Sequence, residues 1–261
     1  MSQKFSVLIS DPAWSFSDKL QHSEVPRGAE ANYSTMTISQ IKQIPVKEIS
    51  DPEGAILALW VPSSLLQEGL DVMKEWGFSH KQTYIWVKTK KEPLKDIFKN
   101  LLKESSISSF ISKFTKEYSL NNSLAFGMGR LFRQTHEICL IGINNNKIYK
   151  KLSNKSQRSV SFAENLKHSA KPEHLHHSLE LMFSDKNINK IELFARRQRS
   201  GWMCIGNQSP MTMGEDINLS LQKLISATKK ETDDINDIIC SYEQGKDKDL
   251  FEAWEKISIH Q

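Results

Sequence analysis

Asp11-Pro12-Ala13-Trp14 is the chain's most concentrated set of chemically useful groups, and it follows directly on a strand-length apolar run, Val7-Leu8-Ile9-Ser10. An exocyclic amine on a heterocycle such as adenine is a poor nucleophile, because its lone pair is delocalised into the ring. Two acceptors that take its two hydrogens draw the nitrogen toward tetrahedral geometry and free that pair. Asp11 can supply a carboxylate for one hydrogen and Pro12 a backbone carbonyl for the other, while Trp14 offers an indole face on which an extruded base can stack. The same four residues also fit a turn opener followed by a core tryptophan.

The elements that would position this tetrapeptide are legible as apolar runs at 6–10, 55–61, 83–87, 137–143, 190–194 and 202–205, with helical stretches between them. This alternation predicts an α/β fold with a mostly parallel sheet covered by helices on both faces. Ligands of such sheets sit outside the carboxyl ends of the strands, where Asp11 falls. Leu65, Leu66, Leu70, Val72, Met73 and Trp76 predict a helix over 63–76, ended by Gly77. A second helix is expected from Pro172 through Leu175, Leu179 and Met182. Residues 90–122 read as an inserted amphipathic helical excursion, and the tail from Asp216 as two or three helices separated near Gly245. The expected organisation is a main domain over 1–213, carrying the insertion at about 90–122, and an acidic helical C-terminal extension over 214–261.

Composition bounds the rest. With 261 residues, 38% hydrophobic and 25% charged, the chain is long enough for a sizeable core. It has no apolar run near the roughly 20 residues that span a bilayer, so no membrane partner is expected, and a cytoplasmic location, or a nuclear one in a nucleated cell, is. Cys139, Cys204 and Cys240 form no CxxC pair, which argues against a disulfide framework or a zinc knuckle. The net charge is +4, yet residues 214–261 hold 11 acidic and six basic residues, so the basic character belongs to 1–213. That body suits phosphate contacts and equally a solvated lysine-rich surface.

Other signals are weaker. Gly127 and Gly129 form a lone GxG without a preceding strand. His174 and His177 share a helical face while His176 points elsewhere, and no carboxylate or cysteine completes a set with them or with His168, so no metal is expected. Arg197 and Arg199 suit either a nucleic-acid phosphate or a solvated loop.

The ordered blocks Asp11-Pro12-Ala13-Trp14, Tyr33-Ser34-Thr35-Met36, Leu59-Trp60-Val61, Trp86-Val87-Lys88-Thr89, Glu137-Ile138-Cys139-Leu140-Ile141-Gly142, Lys171-Pro172-Glu173, Glu192-Leu193-Phe194-Ala195-Arg196 and Gly206-Asn207-Gln208 resemble the MT-A70 family of N6-adenine methyltransferases. The resemblance implies a Rossmann-like S-adenosylmethionine-dependent methyltransferase fold, with the catalytic motif preceding the cofactor-binding strand. It implies that Asp11, Pro12 and Trp14 serve the reacting amine and that Tyr33 lies in a gate loop beside the target adenine. Glu192, Leu193 and Phe194 would lie along the S-adenosylmethionine, Glu192 on its ribose. Lys171 would take its carboxylate, and Arg196, Asn207 and Gln208 its remaining polar groups. Two departures stand out: Ala13 replaces the family's usual proline, and a family segment well upstream of the tetrapeptide, which contacts the cofactor's adenine, is expected to be replaced by another loop or a partner. The activity so implied is methylation of the N6 amine of adenine in a nucleic acid. DNA is preferred over RNA, on the compact build and the lack of a recognisable RNA-binding appendage. A non-catalytic nucleic-acid-binding subunit is the rival, and a homodimer or heterodimer would form through the insertion or the C-terminal helices.

Overall fold

A computed structural model of the chain describes residues 3–15, 35–91, 106–109, 112, 123–127, 131–164 and 170–257. Tyr33, His168, Gly129 and most of the 90–122 insertion lie outside these residues. The described elements run β1 Val7–Ser10, α1 Ile38–Lys42, α2 Val46–Ile49, β2 Ile56–Val61, α3 Leu66–Glu75, β3 Ser79–Thr89, β4 His136–Ile143, β5 Val160–Glu164, α4 His174–Met182, β6 Lys190–Leu193, β7 Met203–Ile205, α5 Ile217–Ser226, α6 Lys229–Cys240 and α7 Asp247–Glu255.

The strands form one seven-stranded sheet of order β5-β3-β4-β2-β1-β6-β7. Every neighbouring pair is parallel except those of β4, which runs against both β2 and β3. The expected mostly parallel Rossmann-like sheet is therefore present. From β1 the chain proceeds to β2 on one side, and from β6 to β7 on the other, so a topological switch point lies between β1 and β6. In open α/β sheets the crevice at that point, outside the carboxyl ends, is where ligands bind.

β1 and β2 are continuous apolar runs because both of their faces are covered. On one face Leu8, Leu57, Leu59, Ile191, Leu193 and Ile205 pack with Ile41, Val72 and Trp76 of the first helical layer. Leu221 and Leu224 of α5, Ile235 and Ile239 of α6, and Leu250 and Trp254 of α7 join the same cluster, so the acidic tail turns its apolar stripe inward onto the sheet. On the other face Val7, Ile9, Ala58, Trp60, Tyr84, Trp86, Cys139 and Cys204 pack with Leu175 and Leu179 of α4 and Phe183 beyond it.

Several boundaries differ from those the sequence predicts. β3 extends at both ends beyond 83–87: the antiparallel ladder with β4 holds polar, exposed residues such as His80 and Gln82 at its start, and parallel pairing with β5 holds Lys88 and Thr89 at its end. β5 has no apolar run to announce it; it is an edge strand with Val160 and Phe162 exposed. The helix expected over 63–76 opens as a single 3-10 turn, Ser63–Leu65, before α3, and Gly77 ends it at φ +85°. α4 begins at His174 rather than Pro172. The tail contains three helices, with Gly245 at φ +99° between α6 and α7.

Candidate active site

Strand register builds the centre of the site. Alternation places Val7, Ile9 and then Asp11 toward the α4 side of the sheet. Pairing aligns Trp60, Cys139 and Tyr84 in one row and Trp86 with Glu137 in the next. Because β4 is antiparallel, its first residues meet the carboxyl ends of β2 and β3, which brings Glu137 and Lys88 to the same rim as Asp11.

Lys171, in the segment leading into α4, joins them. Its Nζ donates to Asp11 Oδ2 at 3.0 Å and to Glu137 Oε2 at 3.1 Å, and lies 5.5 Å from the centre of the Trp60 ring. Lys88 Nζ donates to Glu137 Oε1 at 2.6 Å and sits over Trp86. The result is an alternating row, Asp11, Lys171, Glu137, Lys88, in partly buried surroundings. Burial by itself would lower the Lys171 pKa, but Asp11 and Glu137 outweigh it and hold the ammonium above its ordinary value. Burial raises Glu137, and Lys171 with Lys88 more than reverses it, so this carboxyl is held low. Asp11 differs: burial raises it, Lys171 and Arg196 oppose, Glu137 adds repulsion, and the net displacement is upward.

The loop after β1 is fixed by its backbone. Met36 N donates to Ala13 O at 2.7 Å, Ser15 N to Met36 O at 3.2 Å, and Trp14 N to Pro12 O at 2.8 Å. Among the described residues the Pro12 carbonyl accepts this one backbone bond, and its second lone pair can serve another donor. Trp14 requires a correction: it is 4% exposed, belongs to the cluster on the face opposite α4, and donates its indole N–H to Trp60 O at 2.9 Å. Among the described residues it anchors the loop as a core residue, packed within that cluster rather than standing as an open stacking platform.

At the carboxyl end of β6, Phe194 adopts φ 62°, a left-handed conformation costly for a non-glycine residue and typical of ligand-contacting turns. Ala195 N donates to Ile205 O at 2.9 Å, and a Cβ on Gly206 would meet Ala195 O at 2.3 Å, so only glycine permits the loops after β6 and β7 to lie this close. Arg196, Asn207 and Gln208 are exposed on these loops, and Leu193 is buried beneath them. Glu192 pairs across β1 with Ile9 and so projects to the Asp11 side of the sheet. Its Oε2 accepts from His176 Nε2 at 3.0 Å and from Arg199 Nε at 2.8 Å. Burial raises the Glu192 pKa, but His176 and Arg199 overcome that and keep the carboxylate ionised.

Sequence reasoning therefore named Asp11, Lys171 and Glu192, which the fold brings to one rim, and missed Glu137, Lys88 and His176 as their partners. The one sequence signal for Glu137 was a carboxylate second in an otherwise mainly apolar strand, which marks the residue but not its partners. For His176, a helix position facing an acidic strand residue becomes visible only once α4 is docked.

A Rossmann-like sheet whose acidic loop stands at the switch point, beside a half-buried lysine, is consistent with a methyltransferase-type fold. The MT-A70 family model matches residues 5–119 and 111–208, and the chain belongs to that family. It is 25% identical over 207 residues to a probable N(6)-adenosine-methyltransferase MT-A70-like of Oryza sativa subsp. japonica, covering 78% of this chain and 23% of the relative. It is 26% identical over 235 residues to the N(6)-adenosine-methyltransferase MT-A70-like protein of Drosophila melanogaster, covering 89% and 31%. To the N(6)-adenosine-methyltransferase catalytic subunit METTL3 of Homo sapiens it is 24% identical over 207 residues, covering 78% and 28%. The chain thus spans about a quarter to a third of the length of these curated relatives.

Proposed function

We propose that this chain transfers a methyl group from S-adenosylmethionine to the N6 amine of adenine in a nucleic acid. The observation that carries the reading is the Asp11 carboxylate at the switch point, 3.0 Å from the Lys171 ammonium. The groups around it suit the cofactor chemically. Lys171 offers a compact cation to a carboxylate. Among the described residues both bonds at Glu192 fall on Oε2, so Oε1 is the oxygen offered to ribose hydroxyls. Exposed Arg196, Asn207 and Gln208 supply further polar contacts around Leu193 and Phe194.

When bound, S-adenosylmethionine supplies an electrophilic methyl group. Asp11 accepts one hydrogen of the adenine amine and the remaining lone pair of the Pro12 carbonyl accepts the other, which localises the nitrogen lone pair. Holding nucleophile and electrophile in register is the main catalytic contribution of such a site. The upward displacement of Asp11 makes it a readier acceptor than Glu137 for the proton that the methylated nitrogen sheds. Tyr33 keeps its proposed place in a loop beside the adenine, on the resemblance alone.

The named relatives act on adenosine, the ribonucleoside, which favours RNA over the DNA preferred from sequence. Assembly with a second copy or a related subunit is proposed through the flank of the insertion, where Phe126, Leu131 and Phe132 are exposed. The test is incubation of the chain with methyl-labelled S-adenosylmethionine and matched DNA and RNA oligonucleotides, followed by nucleoside mass analysis. Labelled N6-methyladenosine is the expected product; label only in N6-methyldeoxyadenosine would restore the DNA preference, and no labelled adenine in either would remove the proposal.

A further inference from the structure

We propose that Arg199 is a positioning residue that locks Glu192 and the Lys171 segment into one frame, so that the Glu192 carboxylate stays aimed at the cofactor ribose. This rests on the cofactor reading above.

The guanidinium is shared between two carboxylates. Its Nε donates to Glu192 Oε2 at 2.8 Å, and its other edge reaches Glu173, with Nη2 3.1 Å from Oε1 and Nη1 against Oε2. Glu173 stands two residues beyond Lys171, immediately before α4. One rigid fork therefore ties the strand carrying the proposed ribose acceptor to the segment carrying the proposed carboxylate binder. A lysine ammonium, as a point charge, could serve one of these carboxylates but lacks the planar fork for both.

The Arg199 loop is itself held. Gln198 Nε2 donates to the carbonyls of Arg199 at 2.9 Å and Trp202 at 2.8 Å, and the Trp202 indole N–H donates to Glu180 Oε1 on α4 at 2.8 Å. The Arg199 side chain is only 15% exposed. Neither alternative open to it from sequence, a phosphate contact or a solvated loop, matches this placement. His176 completes the arrangement from α4: its Nε2 bonds the same Glu192 oxygen and its ring packs edge-on against Trp202. With Oε2 so occupied, rotation of the carboxylate is opposed and Oε1 is the oxygen presented.

An ion pair that merely stabilises the fold would, on removal, lower the melting temperature without changing which part of the cofactor is recognised. A positioning role acts on the ribose hydroxyls alone. The experiment is titration calorimetry of the full chain with S-adenosylhomocysteine and with its 2′,3′-dideoxyribose analogue. The unsubstituted protein is expected to prefer the hydroxylated ligand by roughly 10- to 100-fold, the range for charge-assisted hydrogen bonds. Arg199→Ala should bring that ratio close to one, chiefly through weaker binding of S-adenosylhomocysteine, and Arg199→Lys should give an intermediate ratio even if the alanine variant does not fold. A wild-type ratio in either variant overturns the inference. Equal binding of both ligands by the unsubstituted protein overturns the role of Glu192 and this inference with it, while leaving the methyltransferase reading in place; no binding of either ligand removes both.

Discussion

The Lys171 ammonium lies 3.0 Å from the Asp11 carboxylate at the switch point between β1 and β6. Glu137 is the second anchor of the same lysine, at 3.1 Å. The arrangement keeps a cation fixed beside the carboxylate that must grip the substrate amine; burial, which that cation opposes without cancelling, leaves Asp11 less willing to ionise than an ordinary aspartate.

That strain on Asp11 has a stability consequence. A carboxyl whose folded pKa is raised ionises more readily in the unfolded chain, so above its ordinary value of 3.8 its charge favours unfolding. Asp11→Asn removes that burden together with the attraction Asp11 gives Lys171, so the two effects oppose and the melting temperature at neutral pH is expected to change little while activity falls, with Lys171 retaining Glu137 as partner. Differential scanning calorimetry checks this; a large loss of melting temperature contradicts it.

Other carboxylates act in the opposite sense. Burial disfavours ionisation of Asp51, Glu137, Glu192 and Glu215, yet Lys151, Lys171 with Lys88, His176 with Arg199, and Lys223 respectively hold each below its ordinary value. Their stabilisation is complete above the ordinary values of 3.8 and 4.5 and is lost as pH falls through the lower folded values. The urea midpoint should hold steady down to about pH 5 and fall steeply below about pH 4. Glu215→Gln should flatten that fall, and an unchanged acid limb would contradict the assignment.

The tail is expected to be needed for folding of the sheet. Trp254 is fully buried, donates its indole N–H to Glu215 Oε2 at 3.1 Å, and packs in the cluster beneath Leu8 and Leu193. Trp254→Ala should destabilise the chain by about 3–5 kcal/mol in urea unfolding, the usual cost of emptying a core aromatic site. A change within experimental error would show the tail to be peripheral.

Much of the fold was legible because its central strands are fully covered: Val7-Leu8-Ile9-Ser10 and Ile56-Leu57-Ala58-Leu59-Trp60-Val61 are apolar on both faces. β5 escaped notice because an edge strand needs only one buried face, and Ser161 rather than an apolar residue lies inward there. At the site, Asp11, Lys171 and Glu192 were readable from residue type and family blocks. Glu137 and Lys88 were not, since their meeting depends on β4 running against its neighbours, and no local pattern encodes the direction of a strand. Trp14 shows the converse difficulty: an indole suits a stacking platform and a core equally well by type, and only its burial decides.

The most direct measurement is methyl transfer and S-adenosylmethionine binding on one preparation of Asp11→Ala, with adenine-containing oligonucleotide as acceptor. The expected result is transfer reduced by at least about 100-fold, the scale of losing one oriented polar group at a reacting centre, with cofactor affinity within a few-fold of the unsubstituted chain. Transfer persisting at the original rate would contradict the role given to Asp11.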